Sequence, residues 1–312
     1  MAEHKPEPRW PSFGRTDDPV PGEGGNYRFL AALEQSQGWQ RNLRQRLLAG
    51  VPALALVLLI IAFAPPFVVG LLVLAAGMYG LHEYLTLVEV GIGPALPYAP
   101  LMTGAGLMGL GAVWRGQQGL LAMLFVATLL AIFFVWFRGP KETPRELQHA
   151  GAALLGLILV PWFINHLTLL ARLPDGRGVL GFLFLVVTLN DSAAYLVGSL
   201  FGKRLLLPEV SPKKTVEGAM AGIGGGLVAA IVSWTWLGGS GLNFGFLELL
   251  VLAVMLAAVA QMGDLLESKL KRLTRAEDSG SFLPGHGGLL DRMDSYLLAA
   301  PFFYYFLWLF YL

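Results

Sequence analysis

The sequence predicts an all-α, polytopic integral membrane protein of about nine transmembrane helices with a cytoplasmic N-terminus. Three observations carry this. The 312 residues are 55% hydrophobic and only 14% charged, where a soluble domain carries about 25% charged residues. The apolar residues come in long runs, such as "VPALALVLLIIAFAPPFVVGLLVLAAGMYG" and "FLELLVLAVMLAAVAQMG". Runs of about 20 apolar residues match the roughly 30 Å of hydrocarbon that a helix must cross. Finally, Lys and Arg alternate between the connections in the way that orients membrane proteins.

Residues 1–45 are polar and rich in Pro and Gly near the start, with no apolar stretch of the kind that directs secretion. Residues 1–25 read as a tail, and residues 26–44 as an interfacial helix with Tyr27, Leu30, Leu33 and Trp39 on one side. The apolar segments then fall at 47–64, 67–88, 94–114, 119–137 and 149–171, in a first membrane region spanning 46–175. A second region, 176–312, holds the segments 178–201, 217–237, 246–268 and 290–312 together with the chemically distinctive residues. With the N-terminus inside, all of the 22 Lys and Arg except Arg115, Arg172 and Arg177 lie on the cytoplasmic side.

The chain has no cysteine, which excludes disulfides, thiolate catalysis and cysteine-based zinc or iron–sulfur sites. Its notable polar residues gather at the cytoplasmic end of the second region. In "GDLLES", Asp264, Glu267 and Ser268 share one helix face, and in "DRMD" Asp291 and Asp294 are spaced i, i+3 at the start of the last segment. Acids at helix ends are often merely solvated or paired with the helix dipole. Two such sets at one depth, in a chain with 21 acids, instead suggest hard oxygen ligands for Mg²⁺.

Between the two sets, "LPGHGG" supplies His286 and the glycines Gly285, Gly287 and Gly288 just before a helix start, where free amides would suit an anion. In "SPKKTVEG", Ser211 is expected to cap a helix with Pro212 at its first position, leaving Lys213 and Lys214 beside free helix amides. "LNDSAAY" places Asn190, Asp191, Ser192 and Tyr195 within an apolar segment. A carboxylate there implies a broken helix or a cavity reaching inward. The repeated glycines of "GAMAGIGGG" read as close helix packing.

These clusters resemble the phosphatidate cytidylyltransferase (CDP-diacylglycerol synthase) family. The resemblance rests on Ser268, Lys271, Arg272, Asp278, Gly280, Pro284, His286, Gly287, Gly288, Asp291, Arg292 and Asp294, with "DSAAYLVGSLFGK" and "SPKKTVEG" upstream. Glu277 stands where the family pattern usually has lysine. The resemblance implies transfer of the cytidylyl group of CTP to phosphatidate, giving CDP-diacylglycerol and pyrophosphate. It implies a Mg²⁺ requirement, with room for a second metal ion, at a site facing the cytoplasm of a bacterial inner membrane.

On this reading Asp264, Asp291, Ser268 and Asp294 are the metal ligands, and His286 joins Asp264, Asp291 and Asp294 in catalysis. Lys213, Lys214, Lys271, Arg272, Arg292, Asp278, Ser211, Gly287, Gly288 and Asp191 contact substrates. The expected partners are CTP, phosphatidate, the bilayer and a second copy of the chain, with no nucleic acid. Another CTP-dependent lipid enzyme, such as a polyprenol kinase, and a membrane transporter are the alternatives.

Overall fold

A computed structural model describes residues 52, 54–93, 96–138, 143–238, 242, 244–274, 279–280 and 288–312. The expected tail and interfacial helix, and the loop residues Glu277, Asp278, Pro284, Gly285, His286 and Gly287, lie outside the described residues.

Every expected apolar segment overlaps a helix. In chain order these are α1 (Leu54–Phe63), α2 (Pro66–Ile92), α3 (Tyr98–Arg115), α4 (Gln117–Arg138), α5 (Thr143–Leu157), α6 (His166–Ala171), α7 (Gly176–Phe201), α8 (Val216–Leu237), α9 (Phe246–Thr274) and α10 (Leu290–Phe310). Among the described residues, six spans are long and apolar enough to cross a membrane by length and composition. α3 is diluted by glycine and polar residues and α10 opens with Asp291, Arg292 and Asp294, so neither is counted among them.

Local chemistry explains the breaks. Pro66 occupies the first turn of α2, where its missing N–H costs nothing. α3 and α4 are separated by Gly116 at φ +61°, a conformation that favours glycine. The segment expected at 149–171 is one span, Leu147–Ala171, with an irregular middle. Pro161 cannot donate to the helical ladder, and a π-helical turn (Ile158–Trp162) separates α5 from α6.

Two expectations need correction. α7 is unbroken around Asp191. Residues 211–215 do not begin a helix: β1 (Leu205–Leu207) and β2 (Ser211–Thr215) form an antiparallel hairpin, with Leu205 opposite Thr215 and Leu207 opposite Ser211. The cap of α8 is therefore Thr215, whose Oγ1 accepts from the Gly218 N–H at 3.1 Å. Ser211 loses the capping role because cross-strand pairing holds its backbone extended. Glu217 secures the hairpin, accepting from the N–H groups of Lys203 and Arg204, each at 3.1 Å.

The glycines of α8 do pack against neighbouring helices. Gly218 meets Ala194 and Gly198 of α7, Gly225 meets Leu189, and Gly226 meets Ala253 and Ala257 of α9. α9 has 29 residues, so it runs about 43 Å, well beyond the roughly 30 Å of hydrocarbon. Lys269, Lys271 and Arg272, expected in a loop, extend this helix instead.

The connections separate into two ends. At one, Gly91 lies beside Thr274, His149 Nε2 is 3.4 Å from Gly93 O, and Arg272 Nε donates to Val210 O at 3.3 Å. At the other, Arg172 hydrogen-bonds the Val113 carbonyl and Tyr304 donates to Gln117 Oε1 at 3.1 Å. The polar clusters all belong to the first end.

Candidate active site

α9 and α10 run side by side, and this brings the two acidic sets together. Gly263 permits the approach: a side chain there would strike the Asp294 carbonyl. Asp264, Glu267 and Asp294 each offer a carboxylate oxygen, and these oxygens lie within 4.8 Å of one another.

Glu267 is only 2% exposed. The Lys271 ammonium approaches its Oε2 to 2.7 Å, but among the described residues neither oxygen receives a well-directed hydrogen bond. Glu267 is paired through Oε2, and three carboxylates this close to one another form a candidate cation site. The donors are all hard oxygens, which fits Mg²⁺.

Asp291 has a different environment. Its Oδ1 lies 2.9 Å from Lys271 Nζ, its Oδ2 accepts from the Gly288 N–H at 2.8 Å, and the Ser279 N–H reaches both oxygens at 3.3 and 3.2 Å. Asp291 therefore lies beside the three-carboxylate group, to which Glu267 contributes alongside the expected Asp264 and Asp294. Ser268 is half-buried on α9, next to Glu267 in the chain.

The expectation of free amides before α10 is also corrected at the described positions. The Gly288 N–H is taken by Asp291, while the Leu289 and Leu290 N–H groups donate to Glu83 of α2 at 3.0 and 2.7 Å. An internal carboxylate already occupies the helix dipole's positive end.

A cavity of about 470 Å³ opens between α7, the hairpin, α8 and α9. Asp191, Asp264, Ser211, Lys213 and Lys214 all line it, so the cavity reading of Asp191 holds and the broken-helix reading does not. Lys214 Nζ is 2.5 Å from Asp264 Oδ2, whereas Lys213 is exposed. Asp191 accepts from Asn190 Nδ2 at 2.9 Å, and Asn190 Oδ1 accepts from Gln261 Nε2 at 2.7 Å. Gln261 also donates to Ala219 O at 3.0 Å, joining α7, α8 and α9.

Tyr195, Ala194, Leu206 and Leu265 give the same cavity an apolar side. Arg272, bonded to the hairpin, and Arg292, exposed on the first turn of α10, do not line it.

Five carboxylates (Asp191, Asp264, Glu267, Asp291, Asp294) thus meet two ammonium groups, Lys214 and Lys271. Such crowding of carboxyl groups is relieved by protonation or by a bound cation, and the second is the reading developed below.

Sequence reasoning missed Glu83 and Gln261. Both had a usable signal, a polar residue inside an apolar segment, the same signal that singled out Asp191.

A largely apolar cavity with Lys213 and Lys214 on one wall and Asp191 and Asp264 on another, beside the carboxylate cluster, suits joining a polyphosphate to a lipid. The comparisons agree. The sequence pattern described as "Cytidylyltransferase family" matches residues 44–310. The phosphatidate cytidylyltransferase of Bacillus subtilis (strain 168) is 32% identical over 284 residues, covering 86% of this chain and 99% of that protein. That of Mycobacterium bovis is 31% identical over 274 residues, covering 83% of this chain and 86% of its own length. With one pattern spanning nearly all the helices described above, the chain belongs to the cytidylyltransferase family.

Proposed function

We propose that this protein transfers the cytidylyl group of CTP to phosphatidate, releasing CDP-diacylglycerol and pyrophosphate. The observation that carries this reading is the convergence of Asp264, Glu267 and Asp294 beside a cavity bearing Lys213 and Lys214. The names of the relatives support it.

Residues Asp264, Glu267 and Asp294 would hold Mg²⁺, with Asp291 and Ser268 at the edge of the site. When bound, that cation lowers the repulsion between two phosphates and favours departure of pyrophosphate. The chain's own groups do the rest. Lys213 and Lys214 sit on a strand whose partner fixes their spacing, and they take the negative charge of the triphosphate. Lys214 leaves Asp264 as nucleotide enters, which frees that carboxylate for the cation.

Asn190 and Gln261 hold Asp191 in one orientation on the cavity wall. The phosphatidate oxygen is already anionic at neutral pH, so its attack on the α-phosphorus needs no general base. The acyl chains stay beside Ala194, Tyr195, Leu206 and Leu265, and the headgroup alone enters.

The finer topology belongs to the same proposal: nine spans, a cytoplasmic N-terminus, and a site facing the cytoplasm of a bacterial inner membrane. His286 and Gly287 are expected to contact the triphosphate and Asp278 to bind substrate, and a homodimer is the expected assembly.

The test uses the purified chain in detergent with CTP labelled at the α-phosphate, phosphatidate and Mg²⁺. Wild type should yield lipid-soluble label and pyrophosphate, and Asp294→Asn should yield little of either. Release of CDP with a phosphorylated lipid alcohol would mark a kinase and end this reading.

A further inference from the structure

Glu83 lies on α2, far in sequence from the residues that resemble a known family, yet it is only 3% exposed and faces the start of α10. Its two oxygens accept from two successive backbone amides, Leu289 N–H on Oε1 at 3.0 Å and Leu290 N–H on Oε2 at 2.7 Å. α10 has no side-chain cap of its own at Leu289. Among the described residues, the carboxylate of another helix takes two of the first amides and Ser279 Oγ a third.

The contact also shapes the neighbouring loop. A side chain at Gly280 would meet the Glu83 carboxylate, and one at Gly288 would meet Ser279 Oγ and then Glu83, so either would have to displace the carboxylate. Gly288 in turn donates to Asp291, and Ser279 exchanges bonds with Asp291 in both directions: its N–H donates to the carboxylate and its Oγ accepts from the Asp291 N–H at 3.3 Å. The stretch of α2 that carries Glu83 is anchored to α5. The next residue, Tyr84, is buried and donates to Ala152 O of α5 at 3.0 Å.

We infer that Glu83 is a positioning residue that sets the depth and rotation of α10, and thereby aims Asp294 at Asp264 and Glu267. This rests on the metal reading of that cluster. The physical argument is geometric. Asp294 lies about one turn beyond the amides that Glu83 holds, so a displacement of the helix start moves its carboxylate by a similar amount. Ligand sets tolerate little such movement. Glutamine is isosteric but offers one acceptor to two N–H donors and removes the charge facing the helix dipole.

The experiment is Mn²⁺ binding by electron paramagnetic resonance on the full chain in detergent, without substrates, for wild type, Glu83→Gln and Asp294→Asn. Thermal melting is recorded alongside. Glu83→Gln should weaken Mn²⁺ binding about tenfold or more, at a Mn²⁺ concentration range where wild type saturates, and cytidylyl transfer should need correspondingly more Mg²⁺.

If Glu83→Gln does not survive purification, Glu83→Asp carries the same comparison, since it keeps the charge and withdraws it by one methylene. Mn²⁺ binding equal to wild type in the folded Glu83 variant, with Asp294→Asn impaired, would overturn the positioning role alone. No difference between wild type and Asp294→Asn would overturn the metal reading, and this inference with it.

Discussion

Lys271 stands between two acids on different helices, with its ammonium 2.7 Å from Glu267 Oε2 on its own helix and 2.9 Å from Asp291 Oδ1 on α10. The one cation tethers the helices that carry the candidate metal ligands. Replacing Asp291 with alanine would leave the Gly288 and Ser279 amides and one side of Lys271 without their acceptor. The expected cost is about 1–3 kcal/mol, from the amides left without an acceptor, while Lys271 keeps its pairing with Glu267. Asp291→Ala should therefore lose both thermal stability and lipid labelling, and the melting curve of the purified variant checks the first.

Asp294→Asn should behave in the opposite way in chelator. It removes one of three carboxylates crowded within 4.8 Å, so without divalent cations it should melt no lower than wild type. On adding Mg²⁺, wild type should gain stability while the variant gains little. Equal Mg²⁺ shifts in the two melting curves would remove Asp294 from the ligand set.

The two candidate caps before α8 are separable by substitution. Thr215→Ala deletes the acceptor for the Gly218 N–H and should cost about 1 kcal/mol. Ser211→Ala, on the extended strand, should cost no capping energy. Comparison of the two melting temperatures decides which residue starts the helix.

Adjacent glycines in α8 should respond with opposite signs. A methyl at Gly225 would meet the Leu189 carbonyl of α7, whereas one at Gly224 meets nothing within 4 Å. Gly225→Ala should destabilise by about 1–3 kcal/mol through overpacking. Gly224→Ala should be neutral or stabilising by up to roughly 1 kcal/mol, from helix propensity alone.

Lys214→Met should raise the CTP concentration needed for half-maximal rate by about tenfold, as expected when one charged contact of roughly 1.4 kcal/mol is lost. Lys213→Met, exposed on the same strand, should have a smaller effect. Steady-state CTP titrations of both variants provide the check.

Much of this protein was legible in its residue order. Apolar runs specify membrane helices because hydrocarbon forces every backbone polar group to pair within its own segment, a condition that length and hydropathy report directly. The i, i+3 spacing of Asp264 with Glu267, and of Asp291 with Asp294, likewise assigns each pair to one face, because helix periodicity is local. What only the tertiary structure decided was which members of those faces meet across the α9–α10 interface. Glu267 joins Asp264 and Asp294, while Asp291 turns to Lys271 and the loop amides. Rotation and relative depth of two helices depend on packing at Gly263 and on Glu83, 206 positions from the amide it holds, and no local pattern encodes a contact between such distant residues. The hairpin at 205–215 escaped for the same reason: its strands exist through pairing with each other, a nonlocal gain that outweighed the local capping signal at Ser211.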